Sequence, residues 1–191
     1  MTNIVLASAS PRRIEMLRRA GLDFDIVPAN LVEEHFELED PFDSAVSIAT
    51  AKARFVAQQM PDRIVLAADT IVALPQGDRW RQFGKPVDKE DAFRILSCLS
   101  GRRHSVISGV AIVRGRLESS FVDSSMVTFR ALSDEDILEY VEGGEPMDKA
   151  GAYAIQGGAS GFVESIEGDI NTIIGMPLGK VLNLLSEMLK I

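Results

Sequence analysis

Cysteine occurs once among the 191 residues, as Cys98. No intramolecular disulfide and no cysteine-based zinc site can be built from it, and a reducing cytoplasm is the compartment expected. Histidine occurs twice, as His35 and His104, with no second His or Cys beside either, so neither a zinc site nor a hydrolytic triad is suggested. No apolar run reaches the roughly 18 residues that a membrane span needs. The opening MTNIVLASASPRR puts its charge after a short apolar stretch, the reverse of a signal peptide, so secretion is not expected. There is no internal repeat, low-complexity tract or Pro/Ser linker. The GxxxxGK[ST] and GxGxxG patterns are both missing, so any phosphate site is neither a P-loop nor a Rossmann site.

What is present is ordinary for a globular chain: 46% apolar and 25% charged residues, in a length that fits one domain and buries a full core without staples. The net charge of −8 is unevenly spread. Residues 31–45 and 132–148 hold 13 acidic side chains and no Lys or Arg, which leaves the remainder at +5. An acidic total argues against a nucleic-acid polymer as partner, yet leaves room for a small basic pocket that takes one anion.

Strand and helix signals alternate, which points to an α/β domain. Residues 4–7 read as a buried strand. Ser10-Pro11 reads as an N-cap with proline at the first helical position, and Gly21 closes that helix. A short strand at 24–27, a helix at 43–60 and a central strand at 64–74 follow, then a loop or hairpin to Pro86. Asp88 with Asp91 opens a helix that ends at Gly101. Residues 106–113 and 117–129 read as a hairpin about Arg114-Gly115-Arg116. Ser133 with Asp136 caps a helix ending at Gly143-Gly144, and an amphipathic helix closes the chain. Seven of the 15 glycines fall within 143–168, the mark of a shaped loop where backbone approaches something closely.

Ser8-Ala9-Ser10-Pro11-Arg12-Arg13 stands at the first strand-to-helix turn. Unpaired N–H groups, hydroxyls and guanidiniums there suit a phosphate; the competing reading is a plain cap with solvated arginines. Lys52 interrupts the apolar face of its helix, among Ile48, Ala49, Phe55 and Val56. It either snorkels to solvent or is held inward to meet a phosphate. Asp69-Thr70 sits inside IVLAADTIVAL, where an unpaired carboxylate is costly to bury. Asp69 is a candidate general base or metal ligand, with a structural ion pair as the alternative. Lys85 offers a second loop lysine. Glu33 and Glu34 are candidate metal ligands or part of a solvated acidic loop. Cys98 falls on an apolar helical face and reads as core.

Taken together, these stretches resemble the Maf family of nucleoside triphosphate pyrophosphatases. The matching segments are LASASPRRIEMLRRAG, VEE at 32–34, AADTIVAL, GKPVDKEDAFRILSCLSGRRHSVISGVAI, EPMDKAGAYAIQG and GDINTIIGMPL, in order from Leu6 to Leu178. The resemblance implies a mixed, twisted sheet with flanking helices, in an elongated α/β architecture akin to the inosine triphosphatase group. Residues 1–191 would form one domain of two lobes about a cleft. It implies hydrolysis of a nucleoside triphosphate to monophosphate and pyrophosphate with Mg²⁺ or Mn²⁺, and a homodimer. On matching positions Ser8, Arg12, Arg13, Lys52 and Lys85 would hold phosphates, Asp69 would accept the proton, and Glu33 with Asp69 would hold the metal. Arg12, Thr70 and Gln156 match the dTTP/UTP-type pattern, where the subgroup acting on methylated guanine nucleotides tends to read SPWR, SDQ and glutamate. Ala154 stands where Gly is usual, and Ile170 where an aromatic is usual. The alternatives are a nucleotide-sensing regulator of cell division without catalysis, and a phosphatase releasing orthophosphate.

Overall fold

A computed structural model describes residues 3–190. Its framework is a mixed sheet of seven strands: β1 (Ile4–Leu6), β2 (Phe24–Ile26), β3 (Ile64–Gln76), β4 (Arg79–Phe83), β5 (Arg103–Arg114), β6 (Leu117–Phe129) and β7 (Val163–Glu167). The strand order is β2-β1-β3-β5-β6-β7, with β4 paired to β3. β1 runs parallel to both β2 and β3, whereas β4 is antiparallel to β3 and β7 to β6. The helices are α1 (Pro11–Arg19), α2 (Pro41–Ala57), α3 (Lys89–Leu99), α4 (Asp134–Glu142), α5 (Ile170–Ile174) and α6 (Leu178–Leu189). None among the described residues is long and apolar enough to cross a membrane.

The chain divides into two compact units. The first comprises Met1–Asp69, Ser108–Asp123 and Gly175–Ile191. Its β1 and the first half of β3 are fully buried, which the parallel pairing of apolar, β-branched strands requires. One core cluster here consists of alanine and valine alone: Val5, Ala7, Ala49, Ala53, Val56, Ala57, Val65, Ala67, Ala111 and Val113. Small side chains let α2 lie close on the sheet. The approach is tightest at Gly109 of β5, where an added Cβ would stand 2.2 Å from the backbone carbon and oxygen of Ala45. Ala45, Ile48, Ala49, Lys52 and Val56 form the buried face of α2 at helical spacing. Asp40 caps this helix, its carboxylate accepting from the N–H groups of Phe42 and Asp43. The helix therefore begins at Pro41 rather than Asp43, because Asp40-Pro41 supplies both the cap and the proline at the first position.

The second unit comprises Thr70–Ile107 and Ser124–Ile174. Its core is aromatic: Phe83, Phe129, Tyr140, Tyr153 and Phe162 pack with Val72, Leu74, Leu96, Leu99 and Ile137. Phe129 meets Tyr153 edge-on with ring centroids 4.8 Å apart, and Tyr140 meets Phe162 likewise at 5.2 Å. Cys98 is partly buried against this core. The expected Ser133–Asp136 capping box is complete, each side chain accepting from the other residue's backbone N–H. At α3 only half of one forms: Asp88 accepts from Asp91 N–H, while the Asp91 carboxylate turns to Val87 N–H and to Arg94. Gly21, Gly101 and Gly115 take the left-handed backbone that their turns need.

Candidate active site

Leu6 pairs with Leu66, and Ala7 N–H donates to the Leu66 carbonyl at 2.8 Å. The chain then leaves the sheet at Ser8, beside the stretch of β3 that leads to Asp69. Ser10 is extended and N-caps α1 in position only; its side chain makes no capping bond. Instead the Ser8 hydroxyl accepts from Ser10 N–H at 3.2 Å and from Arg13 Nη1 at 3.4 Å.

Among the polar residues of the first unit that are more than nine-tenths buried are Ser8, Arg13, Lys52 and Asp69. Lys52 does not snorkel. Its ammonium donates to Asp69 Oδ1 at 2.7 Å and pairs with Glu33 Oε1 at 2.9 Å. Glu33 opens a 3₁₀ turn, Glu33–Phe36, which aims it at α2, whereas Glu34 is exposed. Arg13 donates through Nε to the Gly175 carbonyl at 3.0 Å. Gly175 has φ +156°, and a Cβ there would stand 3.3 Å from Arg13 Cγ, so glycine is what lets the carbonyl face the guanidinium. Arg12, one position earlier on α1, is half-buried.

These groups set one another's ionisation. Burial pushes the Asp69 carboxyl up from its ordinary range; Lys52 and Arg13 pull it back down, and Glu33 adds a smaller upward push. Burial likewise pulls the Arg13 guanidinium down, against the support of Asp69 and Glu33, but an arginine stays charged at neutral pH. The result is a buried carboxylate held among cations, with a raised affinity for a proton.

No three His, Cys, Asp or Glu side chains gather into a closed metal cage among the described residues. Glu33 and Asp69 nevertheless converge on one ammonium. Two hard carboxylates are what Mg²⁺ takes from protein when substrate phosphates and water complete its shell, so this donor pair fits the divalent cation that the resemblance implies.

The remaining candidates belong to the second unit. Thr70 is half-buried on β3, Lys85 is exposed just after β4, and Gln156 is exposed in the loop that follows Tyr153. The Lys85 loop is anchored where Gly151 N–H donates to the Gly84 carbonyl at 3.0 Å. Gly151 itself has φ +69° and lies so close to Val72 that a Cβ would meet its side chain at 2.6 Å.

His104, left without a role by its sequence neighbours, is fully buried, and its Nε2 lies 2.9 Å from the Tyr153 hydroxyl. Burial lowers its pKa to about 4, so it is a neutral packing residue. Gly175 had no sequence signal as an Arg13 partner, because 162 residues separate them.

Known proteins add to this geometry. A family model described as Maf-like protein matches residues 3–188. A dTTP/UTP pyrophosphatase of Citrifermentans bemidjiense is 46% identical over 186 residues, 96% of this chain and 94% of that protein. One of Bacillus anthracis is 41% identical, over 98% of this chain and 96% of its own. Among solved structures, a HAM1 protein from Coxiella burnetii matches with a TM-score of 0.52 at 18% identity, over 98% of this chain and 100% of that one. That match speaks for the fold alone.

Proposed function

This chain belongs to the Maf-like protein family, and on that premise we propose that it hydrolyses dTTP and UTP to the nucleoside monophosphate and pyrophosphate. Relatives at 41–46% identity along nearly the whole chain carry that activity in their names. The observation that carries the reading is Asp69, buried on a central strand and bonded to Lys52.

The reaction adds water at the α-phosphorus, breaks the bond to the bridging oxygen and releases one proton with pyrophosphate. Asp69 orients that water and accepts its proton, a task helped by the upward push that burial gives its carboxyl. Lys52 has three donors. Two go to Asp69 and Glu33, and the third is left for a phosphate oxygen. Arg13, held through Nε by Gly175, and the Ser8 hydroxyl supply further donors for charge that grows in the transition state. Arg12 is assigned to phosphate on the resemblance, as is Lys85 of the second unit; Thr70 and Gln156 are assigned to the base. Glu33 and Asp69 would hold a divalent cation, which when bound neutralises phosphate charge and acidifies water. A homodimer and a cytoplasmic location complete the reading.

The test is a panel of dTTP, UTP, CTP, GTP and 7-methyl-GTP with Mg²⁺, read for pyrophosphate and orthophosphate separately. Pyrophosphate from dTTP and UTP, lost on adding EDTA, is the expected result. Orthophosphate would make the protein a phosphatase. Binding without turnover would make it a sensor.

A further inference from the structure

The loop that carries Gln156 is tied at both ends. On one side Ala154 N–H donates to the Tyr140 hydroxyl oxygen at 3.1 Å. On the other, Gly158 N–H donates to Glu145 Oε2 at 2.9 Å. Between them Gly157 N–H closes a turn on the Ala154 carbonyl at 3.1 Å. Gln156 itself is exposed, so nothing along its own side chain fixes where its amide points. Its placement comes from the backbone on either side.

Both ties originate in one short segment. α4 delivers Tyr140, and Gly144, in left-handed backbone at φ +76°, turns the chain into a 3₁₀ turn that begins at Glu145. Lys149 Nζ donates to the Glu145 carbonyl at 2.7 Å and holds that turn in place. The carboxylate fits tightly: a Cβ on Gly157 would stand 1.6 Å from Glu145 Oε1, and one on Gly158 would lie 3.2 Å from both Glu145 Oε2 and the Tyr140 ring. Burial pushes the Tyr140 phenol up, the bond from Ala154 pulls it back, and the Glu145 charge pushes it up again. The phenol is therefore neutral at every pH where the protein works.

We propose that Glu145 and Tyr140 are positioning residues for base selection: they clamp the backbone of residues 154–158 so that the Gln156 amide reaches the pyrimidine edge from a fixed anchor. The inference rests on the reading that Gln156 faces the base. An amide discriminates best when its donor and acceptor reach the base edge together, which requires that the backbone carrying it stay at one distance from that edge. A carboxylate accepting from a backbone N–H is a strong, charge-assisted tie, and its loss frees the loop without touching Asp69, Lys52 or Arg13.

The experiment measures kcat and KM for dTTP, CTP and GTP on the full chain and on Glu145→Ala, Glu145→Gln, Gly157→Ala, Tyr140→Phe and the Glu145→Ala/Gly157→Ala pair, with Tm for each. Glu145→Ala is expected to lower the dTTP-over-CTP ratio of kcat/KM at least fivefold, with the loss in KM more than in kcat. Glu145→Gln keeps an acceptor at the same reach and retains most of the ratio. Gly157→Ala expels the carboxylate and matches Glu145→Ala; the pair shows no further loss, because the second change removes a tie already gone. Tyr140→Phe, which keeps the ring, lowers the ratio as well. Should Glu145→Ala not fold, Gly157→Ala and Tyr140→Phe decide. Ratios within twofold of the parent in the folded variants overturn the inference alone. A parent enzyme that turns over neither dTTP nor UTP overturns the functional reading, and this inference with it.

Discussion

In the first unit the groups assigned to chemistry lie buried on one another: Arg13, Lys52 and Asp69 are each less than a tenth exposed, and one ammonium serves two carboxylates. In the second unit Lys85 and Gln156 are exposed, and what is fixed is the backbone beneath them, through Gly151 on Gly84 and through Tyr140 and Glu145 on either side of Gln156. The cores differ in the same sense. Alanine and valine pack under α2, where a helix must come close enough to seat Lys52 beside a strand. Aromatic rings fill the second unit, where loops need a rigid floor. Buried charges depend on each other, so changing one disturbs all. A side chain on a clamped loop can be exchanged with its neighbours undisturbed. The buried cluster suits chemistry that every substrate shares, and the clamped loop under Gln156 suits choice among substrates.

The sharpest way to break that comparison is Asp69→Asn. The change is nearly isosteric, so nucleotide binding should persist while kcat falls at least ~10³-fold, about 4 kcal/mol of transition-state stabilisation. Single-turnover rates beside calorimetric affinities check it, and a variant keeping most of its kcat would remove chemistry from the first unit. Arg13→Ala is expected to cost roughly 100-fold in kcat/KM, with Arg13→Lys recovering only part, because lysine brings the charge without the planar fork. Lys85→Ala, whose charge stands in solvent, should cost nearer ~10-fold. Equal losses at the two positions would erase the contrast between buried and exposed cations.

Gln156→Glu tests the other half. A carboxylate only accepts, so opposite thymine or uracil it leaves a ring carbonyl without a donor. We expect kcat/KM for dTTP and UTP to fall about tenfold, near 1.4 kcal/mol, with guanine nucleotides rising in rank. An unchanged ranking would mean that Gln156 does not read the base. The smallest effect on turnover belongs to His104. Its folded pKa of about 4 lies below the ordinary 6.5, so the unfolded chain takes up a proton first as pH falls. The stability concerned is complete above pH 6.5 and is lost on going down toward pH 4, up to about 3 kcal/mol. Tm measured across that interval should fall in the parent and fall less in His104→Gln, with turnover at pH 7 nearly unaltered.

Local signals carried much of the fold. The Ser133–Asp136 box, the glycine after α1 and the Gly115 turn between β5 and β6 are each decided by a few adjacent residues, and each stands where those residues put it. The cap of α2 was equally local, in Asp40-Pro41, but lay hidden in an acidic run that reads as one solvated block. Asp69 and Lys52 stood out because each breaks an apolar pattern, and the structure brings the two together at 2.7 Å. Nothing adjacent separates Glu33 from Glu34; the difference arises only when the 3₁₀ turn meets α2. Gly175 and Glu145 act through partners far along the chain, at Arg13 and Gly158. His104 needed Tyr153, 49 residues on, to explain it. Periodicity reports which face a residue takes, not which distant atom waits there.

The contact of Gly109 with α2 bears on how this protein tolerates genetic change. Lys52 lies seven residues, nearly two whole turns, beyond Ala45 and on the same face of its helix. A methyl at Gly109 would push that helix off the sheet and carry the ammonium away from Asp69. A screen of random mutants for lost turnover should therefore return Gly109 alongside Asp69, although Gly109 belongs to no part of the proposed chemistry. Second-site revertants should be absent at Ala45, because the atoms in the way are its carbonyl carbon and oxygen and the Val46 nitrogen. Those atoms are the same whichever side chain position 45 or 46 carries, proline apart, so inheritance has no smaller residue to offer there, and the lineage must keep its glycine.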